Sequence, residues 1–126
     1  MIVGIGSDIV SVARMQENIA KYKEDAFARR VLVDSEWTQY QTTKNKPALL
    51  AKRFAVKEAA AKALGTGFAE GITWRHISTV HDERGKPVIA LTDAALQKAN
   101  DLGVTAVHVT ISDEREFAVA FVVLET

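Results

Sequence analysis

At 126 residues, 48% hydrophobic and 25% charged, the chain has room for one domain, residues 1–126, with a modest core that an oligomer would enlarge. Its zero cysteines exclude disulfides, thiolate metal ligands and a cysteine nucleophile. Sixteen Lys/Arg balance sixteen Asp/Glu, and no apolar run approaches the ~20 residues of a membrane helix, so neither nucleic acid nor a bilayer is the expected partner.

The charge is uneven along the chain. Residues 1–62 hold eleven Lys/Arg against seven Asp/Glu, and residues 63–126 hold five against nine. A phosphate-bearing or acidic partner would favour the first half, unless the halves fold into one body and the asymmetry averages out. The opening MIVGIGSDIV has no basic stretch ahead of its apolar residues, so no secretory signal is read and a reducing, cytoplasmic setting is expected.

In chain order, residues 2–7 read as a short, mostly buried strand ending in glycines. Ser11 is placed to cap a helix whose apolar stripe is Val12, Met15, Ile19 and Tyr22, with Arg14, Asn18 and Lys21 on another side. Short helices are expected over 24–32 and 34–42, the second capped by Asp34 or Ser35. Pro47 opens the strongest helix, which runs from Ala48 to Leu64 through good helix formers and stops at Gly65. Residues 76–82 and 87–91 read as a hairpin turning through 83–86. Thr92 is placed to cap a helix to Leu102, closed by Gly103. Residues 104–112 and 116–125 read as two more strands about a turn at Asp113–Arg115. The last is apolar on both faces and is expected to be covered on both sides. The fold class is α+β: a mostly antiparallel sheet packed against one long helix, with shorter helices around it.

Three features carry chemistry. Asp8, following Gly4-Ile5-Gly6-Ser7, is either a hard-metal ligand at a sheet edge or a turn-capping aspartate; a dinucleotide fingerprint would need glycine where Ile9 stands. Phe54, Glu58 and Lys62 share one stripe of the long helix, with Arg53 and Lys57 on the adjacent one. Glu58 and Lys62 are either a surface ion pair or, as one carboxylate among six cations between Lys44 and Lys62, part of a Mg²⁺–phosphate site. Gly65-Thr66-Gly67 is either a helix stop or a phosphate cradle; the negative end of the helix dipole works against the cradle, which would depend on Lys62. His76, His81 and His108 form no metal-ligand pattern, and Trp37 and Trp74 read as packing residues.

Taken together, Gly6-Ser7-Asp8-Ile9 and Arg53-Phe54-Ala55-Val56-Lys57-Glu58-Ala59, followed by Lys62-Ala63-Leu64-Gly65-Thr66-Gly67, resemble the two signature blocks of the holo-acyl-carrier-protein synthase family of phosphopantetheinyl transferases. The interval between the blocks, the Gly85-Lys86-Pro87 turn and the His108–Ser112 ending fit as well, so the resemblance spans essentially the whole chain. It implies Mg²⁺-dependent transfer of the 4′-phosphopantetheine arm of coenzyme A to a serine of apo acyl carrier protein, with release of 3′,5′-ADP, in support of fatty acid biosynthesis. It implies Mg²⁺ on Asp8 and Glu58, with Lys62 on the pyrophosphate or assisting proton removal. Arg53, Gly65, Thr66, Gly67, Lys86 and Pro87 would hold the 3′-phospho-ADP portion. Arg14 and Lys21, with Arg29 and Arg30 beyond, would meet the acidic carrier protein, and the assembly would be a homotrimer with sites between subunits. Where some relatives have histidine just after the fourth strand, this chain has Asp113, and the histidine's role does not carry over. A non-catalytic coenzyme A or nucleotide-binding module, and a purely structural oligomerisation domain, are the alternatives from other classes.

Overall fold

In the computed structural model, which describes residues 1–126, β1 (Ile2–Ser11) leads into α1 (Val12–Lys21), α2 (Ala26–Val31), α3 (Asp34–Thr42) and the long α4 (Lys46–Ala63). The hairpin strands β2 (Ile77–His81) and β3 (Pro87–Leu91), then α5 (Asp93–Asp101), β4 (Ala106–Asp113) and β5 (Phe117–Glu125) complete the order. The strands form two antiparallel sheets, β1-β5-β4 and β2-β3, and β3 runs beside β4 without joining its ladder. The α+β expectation holds, with one sheet split in two.

α4 begins where Asn45 Oδ1 accepts the Ala48 N–H at 3.1 Å and Pro47 occupies the first turn, where a missing N–H costs nothing. It ends at Gly65, whose N–H reaches the Lys62 carbonyl at 3.0 Å and whose φ of 81° turns the chain so that the Gly67 N–H returns to the Ala61 carbonyl at 3.1 Å. Most of its circumference is buried, from Leu49 to Ala63, because its many alanines let neighbours approach from several sides. It packs on the inner face of the three-stranded sheet, against Val10, Ala118, Ala120, Val122 and Leu124.

β1 crosses α4 so closely that side chains are excluded. A Cβ on Gly6 would stand 2.0 Å from the Ala59 carbonyl oxygen, and one on Gly4 would stand 2.1 Å from that of Ala63. The two glycines therefore seat one backbone on another. The next residue on that face is Asp8, paired across the ladder with buried Ala120.

Several local expectations change. The first strand extends to Ser11, so Asp8 lies within it rather than after it, and the strand is mostly exposed rather than buried. It is an edge strand whose outer side chains have no layer above them. β5 is likewise covered on one face only; Phe117 and Phe121 stand exposed on the other. The helix expected over 24–32 is a turn of 3₁₀-helix at Lys23–Asp25, with Glu24 and Asp25 at φ 57°, followed by the shorter α2. α3 is capped by neither Asp34 nor Ser35: Val33 precedes it, and Glu36 Oε1 accepts the Val33 N–H at 3.1 Å. Thr92 stands at the N-cap of α5 without a side-chain bond. Asp113 ends β4, and the final turn is 114–116. Ser11 caps α1 as expected, accepting the Arg14 N–H at 3.2 Å.

Candidate active site

The register of β1 and the pitch of α4 bring Asp8, Glu58 and Lys62 together, although the sequence separates them by half the chain. Lys62 Nζ donates to Asp8 Oδ1 at 2.9 Å and to the Ser7 carbonyl at 3.0 Å. Glu58, one turn before Lys62 and half-buried, faces the same ground. Burial first, and then the charge of Asp8, raise its pKa; the Trp74 indole, Lys62 and Arg14 oppose the rise. A carboxylate whose charge a neighbouring carboxylate opposes is a natural seat for a cation.

No group of three or more His, Cys, Asp or Glu side chains converges anywhere in the molecule. Mg²⁺ needs no such cage, because it retains waters and takes one or two carboxylates together with substrate phosphates. Asp8 and Glu58, with Lys62 beside them to meet further phosphate charge, fit that requirement.

The adjacent side of α4 carries a different arrangement. Lys57 Nζ is fully buried and donates to Glu36 Oε1 at 2.8 Å, to the Trp74 carbonyl at 3.0 Å and to the Ile77 carbonyl. Glu36 Oε2 accepts the Thr79 N–H at 3.0 Å. This knot ties α3, α4, β2 and the 3₁₀ turn Trp74–His76 into one unit. Burial pushes the Lys57 pKa down, while Glu36 pulls it up. From the sequence Lys57 reads as one more cation of a basic stripe. The available signal was that nearly every neighbour on α4 is apolar, so a lysine there must be enclosed with a partner.

Arg53 is also buried, against the expectation of an open phosphate-binding stripe. Its Nη2 donates to Gln39 Oε1 at 3.3 Å, its Nε has no partner, and burial lowers its pKa. Gly65 and Gly67 adopt φ of 81° and 56°, and their N–H groups bond back to the Lys62 and Ala61 carbonyls. That leaves the Thr66 N–H as the loop amide without a backbone partner. Lys86 and Pro87 lie on the β2–β3 hairpin, whose turn is held by the Asp82 carboxylate accepting N–H groups of Arg84 at 2.8 Å and Lys86 at 2.9 Å. These bonds hold the Asp82 pKa below its usual value. Within one chain this turn makes no polar contact with Asp8, Glu58 or Lys62.

Arg14, Lys21, Arg29 and Arg30 are all exposed on α1 and α2. Arg14 lies with its guanidinium 5.8 Å from the centre of the Phe54 ring, within electrostatic reach of Glu58, so it links the basic surface to the carboxylates. Arg30 lines a cleft of about 310 Å³ with Tyr22, Ala26, Phe27 and Trp74, and Arg29 covers the Trp37 ring at 4.2 Å. Asp113 stands exposed at the end of β4.

The chain is similar to known proteins along its whole length. The holo-[acyl-carrier-protein] synthase of Vibrio cholerae serotype O1 is 47% identical over 125 residues, covering 99% of this chain and 98% of that protein. The crystal structure of holo-[acyl-carrier-protein] synthase from Neisseria meningitidis superposes with a TM-score of 0.91 at 41% identity, covering 100% of both chains. That of Bacillus anthracis, solved in complex with CoA (3′,5′-ADP), superposes with a TM-score of 0.83 at 36% identity, covering 100% of this chain and 98% of that one. Residues 4–122 match the sequence model of the 4′-phosphopantetheinyl transferase superfamily. The chain belongs to that superfamily.

Proposed function

We propose that this chain is a holo-[acyl-carrier-protein] synthase: it transfers 4′-phosphopantetheine from coenzyme A to a serine of apo acyl carrier protein and releases 3′,5′-ADP. The observation that carries the reading is the convergence of Asp8, Glu58 and Lys62, with the Lys62 ammonium 2.9 Å from Asp8.

The serine oxygen attacks the β-phosphorus of coenzyme A, the bond from that phosphorus to the bridging oxygen breaks, and 3′,5′-ADP leaves with the electron pair. Such a reaction asks mainly for positioning and charge stabilisation. Mg²⁺ held by Asp8 and Glu58 would offset the charge on the pyrophosphate oxygens. Lys62, which already acts as a donor, is placed to do the same for the leaving side. Glu58, whose pKa burial and the Asp8 charge raise, is assigned the serine proton. Arg14, Lys21, Arg29 and Arg30 form the docking face for an acidic carrier protein.

Gly65, Thr66, Gly67, Lys86 and Pro87 are proposed to hold the 3′-phospho-ADP portion, and Arg53, buried against Gln39, to support them from behind. Because Lys86 and Pro87 make no polar contact with Asp8 within one chain, they would serve a neighbour's site. The working unit is then a homotrimer of single-domain chains spanning residues 1–126. The open face of the three-stranded sheet supports this, since Ile5, Ile9 and Phe121 are 61%, 62% and 44% exposed on it. No helix is long and apolar enough to cross a membrane. A cytoplasmic enzyme supplying fatty acid biosynthesis is the setting proposed.

The test is the intact mass of an apo acyl carrier protein after incubation with the chain, coenzyme A and Mg²⁺, with an EDTA control. A gain of one phosphopantetheine arm that EDTA abolishes is expected. No gain with any of several carrier proteins overturns the proposal and leaves the non-catalytic binding module.

A further inference from the structure

α2 carries Arg29 and Arg30 of the docking face, yet its six residues are too few to hold a helix by themselves. Side chains from other elements hold it. At its C-terminal end Arg75 Nη1 donates to the Arg29 carbonyl at 3.4 Å, and Nη2 of the same guanidinium to Asp34 Oδ1 at 3.2 Å. On its inner side Phe27 packs against Phe54 and Trp74 at centroid distances of 6.1 and 6.3 Å.

The N-terminal end is built differently. Asp25 stands at the N-cap, where an aspartate ordinarily accepts an N–H of its own helix, and makes no such bond. Its carboxylate turns instead to α3, where the Tyr40 hydroxyl donates to Asp25 Oδ1 at 3.3 Å. The backbone bends to match: Glu24 and Asp25 both stand at φ 57°, the left-handed region that a residue with a Cβ enters at a cost. A forgone cap and two successive strained residues persist only where the surroundings over-determine them.

Tyr40 supplies that constraint. It is fully buried, and its ring stacks on Trp37 at 5.5 Å. It lies one turn after Glu36 on α3, and Glu36 is sealed on Lys57 of α4. Burial first, and then the Asp25 charge, push the Tyr40 pKa up to about 12, so the hydroxyl keeps its proton and stays a donor. Contacts therefore run from Lys57 through Glu36 and Tyr40 to the turn from which α2 starts.

We propose that the Tyr40–Asp25 bond is a positioning latch for carrier-protein docking: it fixes the turn between α1 and α2, and with it the placement of Arg29 and Arg30 relative to Arg14 and Lys21. The inference rests on the docking face assigned above and names two residues outside both the signature blocks and the basic set. The one side-chain hydrogen bond of each is to the other, so the latch bears on the carrier protein and not on coenzyme A.

Transfer kinetics of the full chain, with apo acyl carrier protein and coenzyme A varied separately, test it. Tyr40→Phe keeps the buried ring and removes the donor; it is expected to raise KM for the carrier protein about fivefold and to leave kcat and KM for coenzyme A within about twofold. Asp25→Ala is expected to do the same, and the double variant to be no worse than either single one. Asp25→Asn, which keeps an acceptor and tolerates the left-handed backbone, is expected to stay within about twofold of native throughout. A bond that only adds stability would lower the melting temperature of Tyr40→Phe and leave the carrier KM in place. That result, an equal rise in KM for both substrates, or single effects that add in the double variant, overturns the inference while the proposed reaction stands. A native chain that transfers nothing sinks the reaction, and this inference with it.

Discussion

Two lysine–carboxylate pairs lie five residues apart on α4 at nearly the same distance, and they do opposite work. Lys57–Glu36 closes at 2.8 Å with both side chains 0% exposed; Lys62–Asp8 closes at 2.9 Å with 53% and 18% exposure. The first is saturated, since Lys57 also binds two carbonyls and Glu36 accepts two backbone N–H groups. Neither partner can leave without stranding the other in a medium that cannot solvate it. The second faces water, so Asp8 can exchange an ammonium for a metal ion and Lys62 can turn to a phosphate at little cost. Chemistry and distance are shared; solvent access makes one pair a fastening and the other a site.

Breaking the buried pair is the largest expected effect. Lys57→Met should destabilise the fold by about 3–5 kcal/mol in urea titration, because Glu36 is left charged and alone. Adding Glu36→Met should recover only part of that loss, because the N–H groups of Val33 and Thr79 then lack an acceptor. A Lys57→Met variant as stable as the native chain would mean that the pair contributes nothing.

The exposed pair should respond in the other dimension. Asp8→Ala and Glu58→Ala are each expected to lower turnover at least about 100-fold with the fold intact. Lys62→Met should lose turnover while changing stability by less than about 1 kcal/mol. Normal turnover in both carboxylate variants would remove the metal proposal.

Charge at the docking face is a smaller lever. Reversing Arg14 and Lys21 together should weaken carrier-protein affinity about 10-fold and alter its salt dependence, and affinity measured across a salt series checks this. An unchanged affinity would move the docking face elsewhere.

The smallest effect concerns His81, close to the first pair but outside its seal. Burial, Arg53 and Lys52 together hold its pKa below 6.5. The unfolded chain therefore binds the proton more readily, and the native chain loses stability as pH falls through that range. His81→Gln should melt higher than the native chain at pH 5 and alike at pH 8; equal curves at both would show that the neighbouring cations do not reach it.

Much of this was legible beforehand because it is local. Pro47, the alanine-rich run and Gly65 define α4 within a residue or two of its bounds, since start, propensity and stop agree. Asp8, Glu58 and Lys62 were legible as a set only through the resemblance; spacing alone left Asp8 a turn residue and Glu58–Lys62 a surface pair. Arg53 and Lys57 share a stripe of α4 in the sequence, but helical periodicity reports only which residues share a face and says nothing of what covers it. The coverage of β5 was misread for the same reason, as its outer residues are apolar whether or not anything lies on them.

The sequence by itself determined the elements, the two glycines that β1 needs to cross α4, and the presence of two carboxylates amid cations. These follow from backbone sterics, local propensity and charge count, which act over a few residues. Only the tertiary structure decided that Lys62 reaches Asp8 and that Lys57 is sealed on Glu36. Those are contacts between residues 21 and 54 positions apart. Their character depends on how much water the packed chain admits, a quantity that no single segment carries.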